Sequence, residues 1–202
     1  TLNSLATGTF DGNENLTSTG TGPYADSGNH YAVGIFQWAS TTSTRDSFWS
    51  ADAGRTYAVS SSDSSNGWPG EIDYDGSNQI SFGKAKQDFT VSVSQNTWTI
   101  VSTSFNKTGN EIFGRINGSQ ASAGDPYSTS MNSVADFRLM RNRASVELAG
   151  KAAEFFWVAG PTGTGGTDIS NVEKAEGYIA WKWGLQGNLP VSHPYKNAAP
   201  TT

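Results

Sequence analysis

Ser170-Asn171-Val172-Glu173-Lys174-Ala175-Glu176-Gly177-Tyr178-Ile179-Ala180-Trp181-Lys182-Trp183-Gly184-Leu185, with Leu189-Pro190-Val191-Ser192-His193-Pro194-Tyr195 after it, is the stretch that decides how the chain is read. Its first part is the one helical pattern in a sequence otherwise written in strands and turns. Ser170 with Glu173 three residues on forms a capping box, in which hydroxyl and carboxylate satisfy orphan amides at a helix start. Asp168, Glu173 and Glu176 put negative charge toward the amino end, and Lys182 puts positive charge toward the carboxyl end; the helix dipole favours both. Ile169, Val172, Ala175, Ile179, Ala180 and Trp183 recur at helical spacing on one stripe. Gly184 suits a left-handed closing residue, and Pro190 forbids continuation. These features predict a helix over 170–183 lying with one face on a sheet, a structural clasp rather than a seat of chemistry.

Upstream, the period changes from helical to alternating. His30–Ala39 reads as a strand with apolar residues on both faces, which predicts a central position. An edge strand is predicted near Ala6–Phe10, followed by loops to residue 29. Further strands are read at Ser47–Ser50, Arg55–Ser60, Gly70–Asp75, Gln79–Gly83, Phe89–Val93, Thr97–Phe105, Glu111–Ile116 and Asp136–Met140. Asn117-Gly118 is a strong hairpin signal, and Ser119–Ser133 reads as a loop. Gly150–Ala159, an unbroken apolar run, is the last strand and is expected to be covered on both faces. Trp98, Trp157 and Trp183 are assigned to the core.

Composition agrees with one sandwich domain. The chain has 202 residues, no Cys, and 10 Phe, 7 Trp and 7 Tyr to build a core without disulfides. A formal charge of −5, from 13 basic against 18 acidic residues, argues against nucleic acid or an anionic membrane as partner. No apolar run approaches a membrane span, and no signal-peptide pattern opens the sequence. Two isolated His, no phosphate loop and no Ser/His/acid constellation give no basis for a metalloenzyme, nucleotide or serine-nucleophile reading.

Glu176–Leu185 with Leu189-Pro190 and His193-Pro194-Tyr195 resembles the terminal signature of the concanavalin A-like lectin/glucanase superfamily. It is most similar to the laminin-G-like jelly rolls found in bacteriophage structural proteins. Trp98 and Val101, the strand Ile112–Ile116 and its Asn117-Gly118 turn resemble the middle of such domains, and Gly150-x-x-x-Glu154 resembles the opening of their final strand. The resemblance runs from about Tyr31 to Tyr195. It implies an all-β jelly-roll sandwich of two antiparallel sheets, about ten to fourteen strands, with one C-terminal helix. The expected layout is an N-terminal loop and edge-strand segment, 1–29, joined to a jelly-roll body, 30–202, as one domain overall. The implied role is that of a non-enzymatic virion surface protein, decorating a capsid or built into a tail or fibre. Its partners would be other virion proteins, further copies of itself, and weakly bound host or environmental polysaccharide.

Trp68-Pro69-Gly70-Glu71-Ile72-Asp73 is similar to the catalytic strand of retaining beta-glucanases of glycoside hydrolase family sixteen. That resemblance implies an alternative, with Glu71 as nucleophile, Asp73 as helper and Asp75 standing where the family has a Glu acid/base. Retention requires carboxyls about 5–5.5 Å apart. Four strand residues separate alpha carbons by about 13 Å, and the shorter Asp75 closes that gap worse than a Glu, so catalysis is not the expected outcome. Binding without cleavage is. The Glu71/Asp73/Asp75 face would accept sugar hydroxyls while Trp68, with Trp49 second, stacks on a pyranose. No cofactor is implied. Asp11, Asn13 and Glu14 have oxygen spacing that suits a structural calcium, but they lack the loop length and charge count of a dedicated site; an ordinary turn is the simpler reading.

Overall fold

Alternation around Tyr31–Trp38 produces β3 (His30–Ser40), and in the computed structural model this strand is the axis of the molecule. The structure describes residues 2–11, 16–19, 30–40, 46–52, 72–74, 80–82, 93–106, 111–120, 125–126, 136–140, 148–159 and 169–201. β3 pairs on one side with β12 (Ala149–Ala159) and on the other with β7 (Thr99–Asn106). β1 (Gly8–Phe10) lies outside β12 as an edge strand. β8 (Glu111–Ile116) continues the sheet beyond β7, and β10 (Asp125–Pro126) and β9 (Ser119–Gln120) both pair with β8, making seven strands. A second sheet runs β2 (Leu16–Thr19), β11 (Asp136–Leu139), β4 (Asp46–Asp52), β5 (Ile72–Tyr74), β6 (Ile80–Phe82). All pairings are antiparallel. The two antiparallel sheets with one helix are the expected all-β jelly-roll architecture.

Both faces of β3 are used. Ala32, Phe36 and Trp38 enter the core between the sheets with Phe10, Phe48, Val101, Leu139, Met140 and Leu148. Phe48, from the five-stranded sheet, meets Phe36 at 4.9 Å and Trp38 at 5.5 Å between ring centroids, which ties the two layers at their centre. Val33 and Ile35 face the other way and join Ile100 beneath the helix α1 (Ile169–Trp183), against Ala175, Ile179, Ala180 and Trp183. Each fully buried side chain of this size contributes roughly 1.5–3 kcal/mol. The layers are therefore five-stranded sheet, seven-stranded sheet, helix.

Several boundaries differ from the sequence reading. The helix begins at Ile169, so Ser170 stands inside its first turn rather than at its cap, and Ile169 is exposed rather than part of the buried stripe. β2 lies within a predicted loop, as do β9 and β10. All three are short and polar, and β2 and β10 are sheet edges, so main-chain pairing rather than alternation creates them. Pro126 fits an edge position, where its missing N–H is harmless. Trp183 is buried as expected, whereas Trp98 and Trp157 are half-buried at core margins. Val93 is buried but not in a strand. The strand predicted at Arg55–Ser60, and the rest of Phe89–Val93, lie outside the described residues.

The helix end follows its sequence closely. Gly184 takes φ +72°, Leu185 N–H reaches back to the Ala180 carbonyl at 2.7 Å, and Gly184 N–H points to Trp181 O at 3.4 Å, a Schellman closure. Asn3 Nδ2 donates to the Lys182 carbonyl at 2.8 Å, satisfying another terminal acceptor from the opposite end of the chain. Asn117 and Gly118 have φ of 50° and 77°, the paired positive values of the predicted hairpin turn.

Candidate functional site

The residues expected to hold sugar fall mostly beyond description. Trp68, Glu71 and Asp75 lie outside the described residues, as do Asn13 and Glu14 of the calcium candidate. Asp11 is exposed just past β1. Asp73 sits on β5 in register with Ser47 of β4 and Ser81 of β6. Trp49 sits on β4 in register with Ile72 of β5 and Leu139 of β11. The fold thus brings Trp49 and Asp73 to adjoining strands of the five-stranded sheet, one register step apart.

Charge that the sequence suggested for the helix dipole is instead spent under the helix. Glu176 is fully buried, and its Oε1 accepts from Arg115 Nε at 2.9 Å and from the Ser102 hydroxyl. Its Oε2 accepts from Arg115 Nη2 at 3.1 Å and from His193 Nε2 at 3.2 Å. Arg115 Nη2 also donates to the Gly118 carbonyl at 2.6 Å and lies 3.5 Å from Glu173 Oε1. Tyr195 N–H donates to His193 Nδ1 at 3.2 Å, so Nδ1 is an acceptor and Nε2 carries the hydrogen directed at Glu176. Burial would push the Glu176 carboxyl up, but hydrogen bonds from His193 and Arg115, the Arg115 charge and the Ser102 hydroxyl outweigh it and hold it below its ordinary range.

Ser102, His193 and Glu176 have the residue types of a hydrolytic triad without its wiring. The Ser102 hydroxyl donates to the carboxylate, not to the imidazole, and all three side chains are buried. A nucleophile needs a base within reach of its proton and an opening for substrate. The cluster is a lock that joins β7, β8, the helix and the C-terminal segment. Glu154, which opens the last strand's resemblance, adds a second tie, accepting from Lys182 Nζ at 2.9 Å and Trp183 Nε1 at 2.5 Å. Gly177 forms a third. A Cβ there would lie 2.5 Å from Tyr195 Cβ, and only glycine lets the Tyr195 side chain lie against the helix while Trp181 Nε1 donates to the Tyr195 carbonyl at 2.9 Å. The signal for the lock was present in the sequence, because Glu176 falls between Val172, Ile179 and Trp183 on the apolar stripe. Pattern alone cannot pair it, because its partner Arg115 is sixty-one positions away.

On the flank of the helix that faces away from the lock, an open pocket of about 360 Å³ is lined by Tyr31, Phe156, Asn171, Lys174, Tyr178 and the C-terminal residues around Pro200. Asn171, Lys174 and Tyr178 are exposed and share one helix face by their spacing of three and four. Burial raises the Tyr31 hydroxyl above its ordinary value of 10.0, so it stays protonated and able to donate.

No family model matches the sequence, and no curated protein matches it. Solved structures do. Domain 4 of AbnA, a GH43 extracellular arabinanase from Geobacillus stearothermophilus solved with arabinotriose, superposes with a TM-score of 0.53 at 16% identity, covering 78% of this chain and 72% of that one. Mouse laminin alpha1 domains LG4-5 give 0.55 at 11% identity, covering 79% and 43%. A carbohydrate-binding candidate from Bacteroides ovatus gives 0.52 at 12% identity, covering 77% and 44%. The chain therefore spans most of the arabinanase domain and under half the length of the other two. At these identities the likeness is one of fold, and it agrees with what the helix signature, the Asn117-Gly118 hairpin and the two-sheet topology indicate independently. The chain carries a two-sheet antiparallel jelly-roll fold similar to that of the laminin LG domains.

Proposed function

We propose that this protein is a non-enzymatic, lectin-like module that binds polysaccharide weakly and is displayed on the surface of a bacteriophage particle. The observation that carries the binding half is the fold, shared with a domain whose structure holds arabinotriose and with a carbohydrate-binding candidate. Supporting the non-enzymatic half, the most elaborate carboxylate-centred cluster among the described residues is sealed and neutralised by Arg115, as a structural lock requires. The virion setting rests on the resemblance of the terminal signature, and an acidic chain without cysteine suits high-copy display. Attachment to other virion proteins or to further copies of itself would use surfaces away from the glycan.

Two measurements test this reading. Mass spectrometry of purified particles is expected to find the chain as a stoichiometric component; finding it only among secreted proteins of the host overturns the virion assignment. Incubation with beta-glucans and galactans is expected to give binding on a glycan array without released reducing sugar. Turnover that disappears in Glu71→Gln would replace binding with retaining hydrolysis by Glu71, Asp73 and Asp75.

A further inference from the structure

We propose that the pocket between β3, β12 and the helix is a subsite for an acidic sugar, a uronic-acid-type pyranose at the end of a polysaccharide chain. This rests on the glycan-binding reading above and places binding on the helix-covered side of the seven-stranded sheet, away from the five-stranded sheet that carries Asp73.

Three features of the lining select the ligand class. Tyr31, Phe156 and Tyr178 supply aromatic rings; Tyr178 is 48% exposed and carries Lys182 Nζ over one side of its ring at 5.5 Å from the centroid, which leaves the opposite side to stack on the C–H face of a pyranose. Asn171 supplies a donor and an acceptor together, the pair that adjacent sugar hydroxyls need, and the protonated Tyr31 hydroxyl adds a donor. Lys174 supplies an ammonium with no carboxylate against it among the described residues, since Glu173 beside it turns to Arg115 instead. In a chain of formal charge −5, a cation left open in an aromatic pocket favours an anion with an apolar face. Inorganic phosphate would leave the rings unused, and a neutral apolar ligand would leave Lys174 and Asn171 unused. A volume of about 360 Å³ lies near the lower bound of small-molecule sites, roughly 300–1,000 Å³, which suits a chain end rather than a long bound segment.

The test is calorimetric titration of the whole chain with tri-galacturonate and with a neutral galactose trisaccharide, at low and high salt. Tri-galacturonate is expected to bind more tightly, with its advantage lost at high salt and in Lys174→Ala. Tyr178→Ala is expected to weaken both ligands about fivefold, the scale of a lost aromatic contact. Both side chains are exposed, so unchanged melting temperatures confirm that the variants stay folded. Equal affinity for the two trisaccharides, or binding untouched by either variant, overturns the subsite. If such binding is instead abolished by Asp73→Asn, glycan recognition stands and its place is the five-stranded sheet. If no saccharide on a broad array binds at all, the subsite and the glycan-binding reading fall together.

Discussion

Glu176→Gln is the substitution that asks most of the structure. It keeps the side chain's shape and removes one charge from a site where Glu176 is 0%, Arg115 5% and His193 5% exposed. The carboxylate accepts four hydrogen bonds, two on each oxygen. An amide can present acceptor geometry on one side only, so two of the four contacts become donor against donor. Turning the amide nitrogen toward His193 would demand the other imidazole tautomer, which sacrifices the bond from Tyr195 N–H. Arg115 would keep only Glu173, at 3.5 Å and with its side chain 26% exposed, as a counter-charge. Breaking one half of a buried pair costs about 3–5 kcal/mol. For a domain of this length, at about 2–4 °C per kcal/mol, the melting temperature should fall by roughly 6–20 °C. Calorimetry with urea titration measures it, and in a cycle with Arg115→Met the two losses should be strongly non-additive, because either single change leaves the other charge buried without its main partner. A loss below about 1 kcal/mol in the single variant, or additive losses in the cycle, would refute the claim that this cluster is desolvated and mutually dependent.

Acid stability follows from the same group: a carboxyl whose folded value lies below its unfolded one stabilises above the unfolded value and ceases to do so as pH falls through the folded one. Stability should therefore decline below about pH 4.5, and the decline should be shallower in Glu176→Gln, as pH-dependent urea midpoints will show. Gly177→Ala gains helix propensity of up to about 1 kcal/mol but drives a methyl to 2.5 Å from Tyr195 Cβ; a net loss of about 1–3 kcal/mol is expected, and in a double-mutant cycle Tyr195→Gly, which lacks that Cβ, should relieve the clash. Glu154→Gln should cost under about 1 kcal/mol in thermal melts, since Lys182 is exposed and solvent screens the pair.

Sequence reasoning reached the parts of this fold that local pattern controls. The double-faced alternation of Tyr31–Trp38 is sufficient to place β3 between two neighbours, and Gly184 with Pro190 is sufficient to end the helix. It failed where a structure is made by partners far apart in the chain. β2 and β10 have no apolar alternation because they are edges held by backbone pairing to β11 and β8. Glu176 looks the same in a sequence whether it faces solvent or Arg115; only the stripe it shares with Val172 and Ile179 hints otherwise. The pocket was equally unreadable, since Tyr31 and Phe156 become neighbours of Lys174 only after β3 and β12 pair and the helix lands on them. The sugar candidates Trp68, Glu71 and Asp75 rest on resemblance alone and lie outside the described residues, and the register of β4 and β5 gives only the backbone positions of Trp49 and Asp73.

The proposed subsite would give the helix a second role beyond closing the fold. The seven-stranded sheet has the five-stranded sheet on one face and α1 with the Leu189–Tyr195 segment on the other, so β3 reaches the pocket only through Tyr31 at its end. The polar groups of the proposed subsite are therefore carried mainly by the helix. Its sequence divides accordingly. Val172, Glu176, Ile179 and Trp183 turn inward and fix its position through packing and the Arg115 lock. Asn171, Lys174 and Tyr178, each within two positions of one of those anchors, turn outward at a height and rotation the lock determines. A buried ion pair is a poor source of stability compared with an apolar replacement, but it rejects any register of the helix that leaves Arg115 unpaired. The proposed subsite depends on that selectivity, because a slip of one turn would move Lys174 by about 5.4 Å and take it out of the pocket.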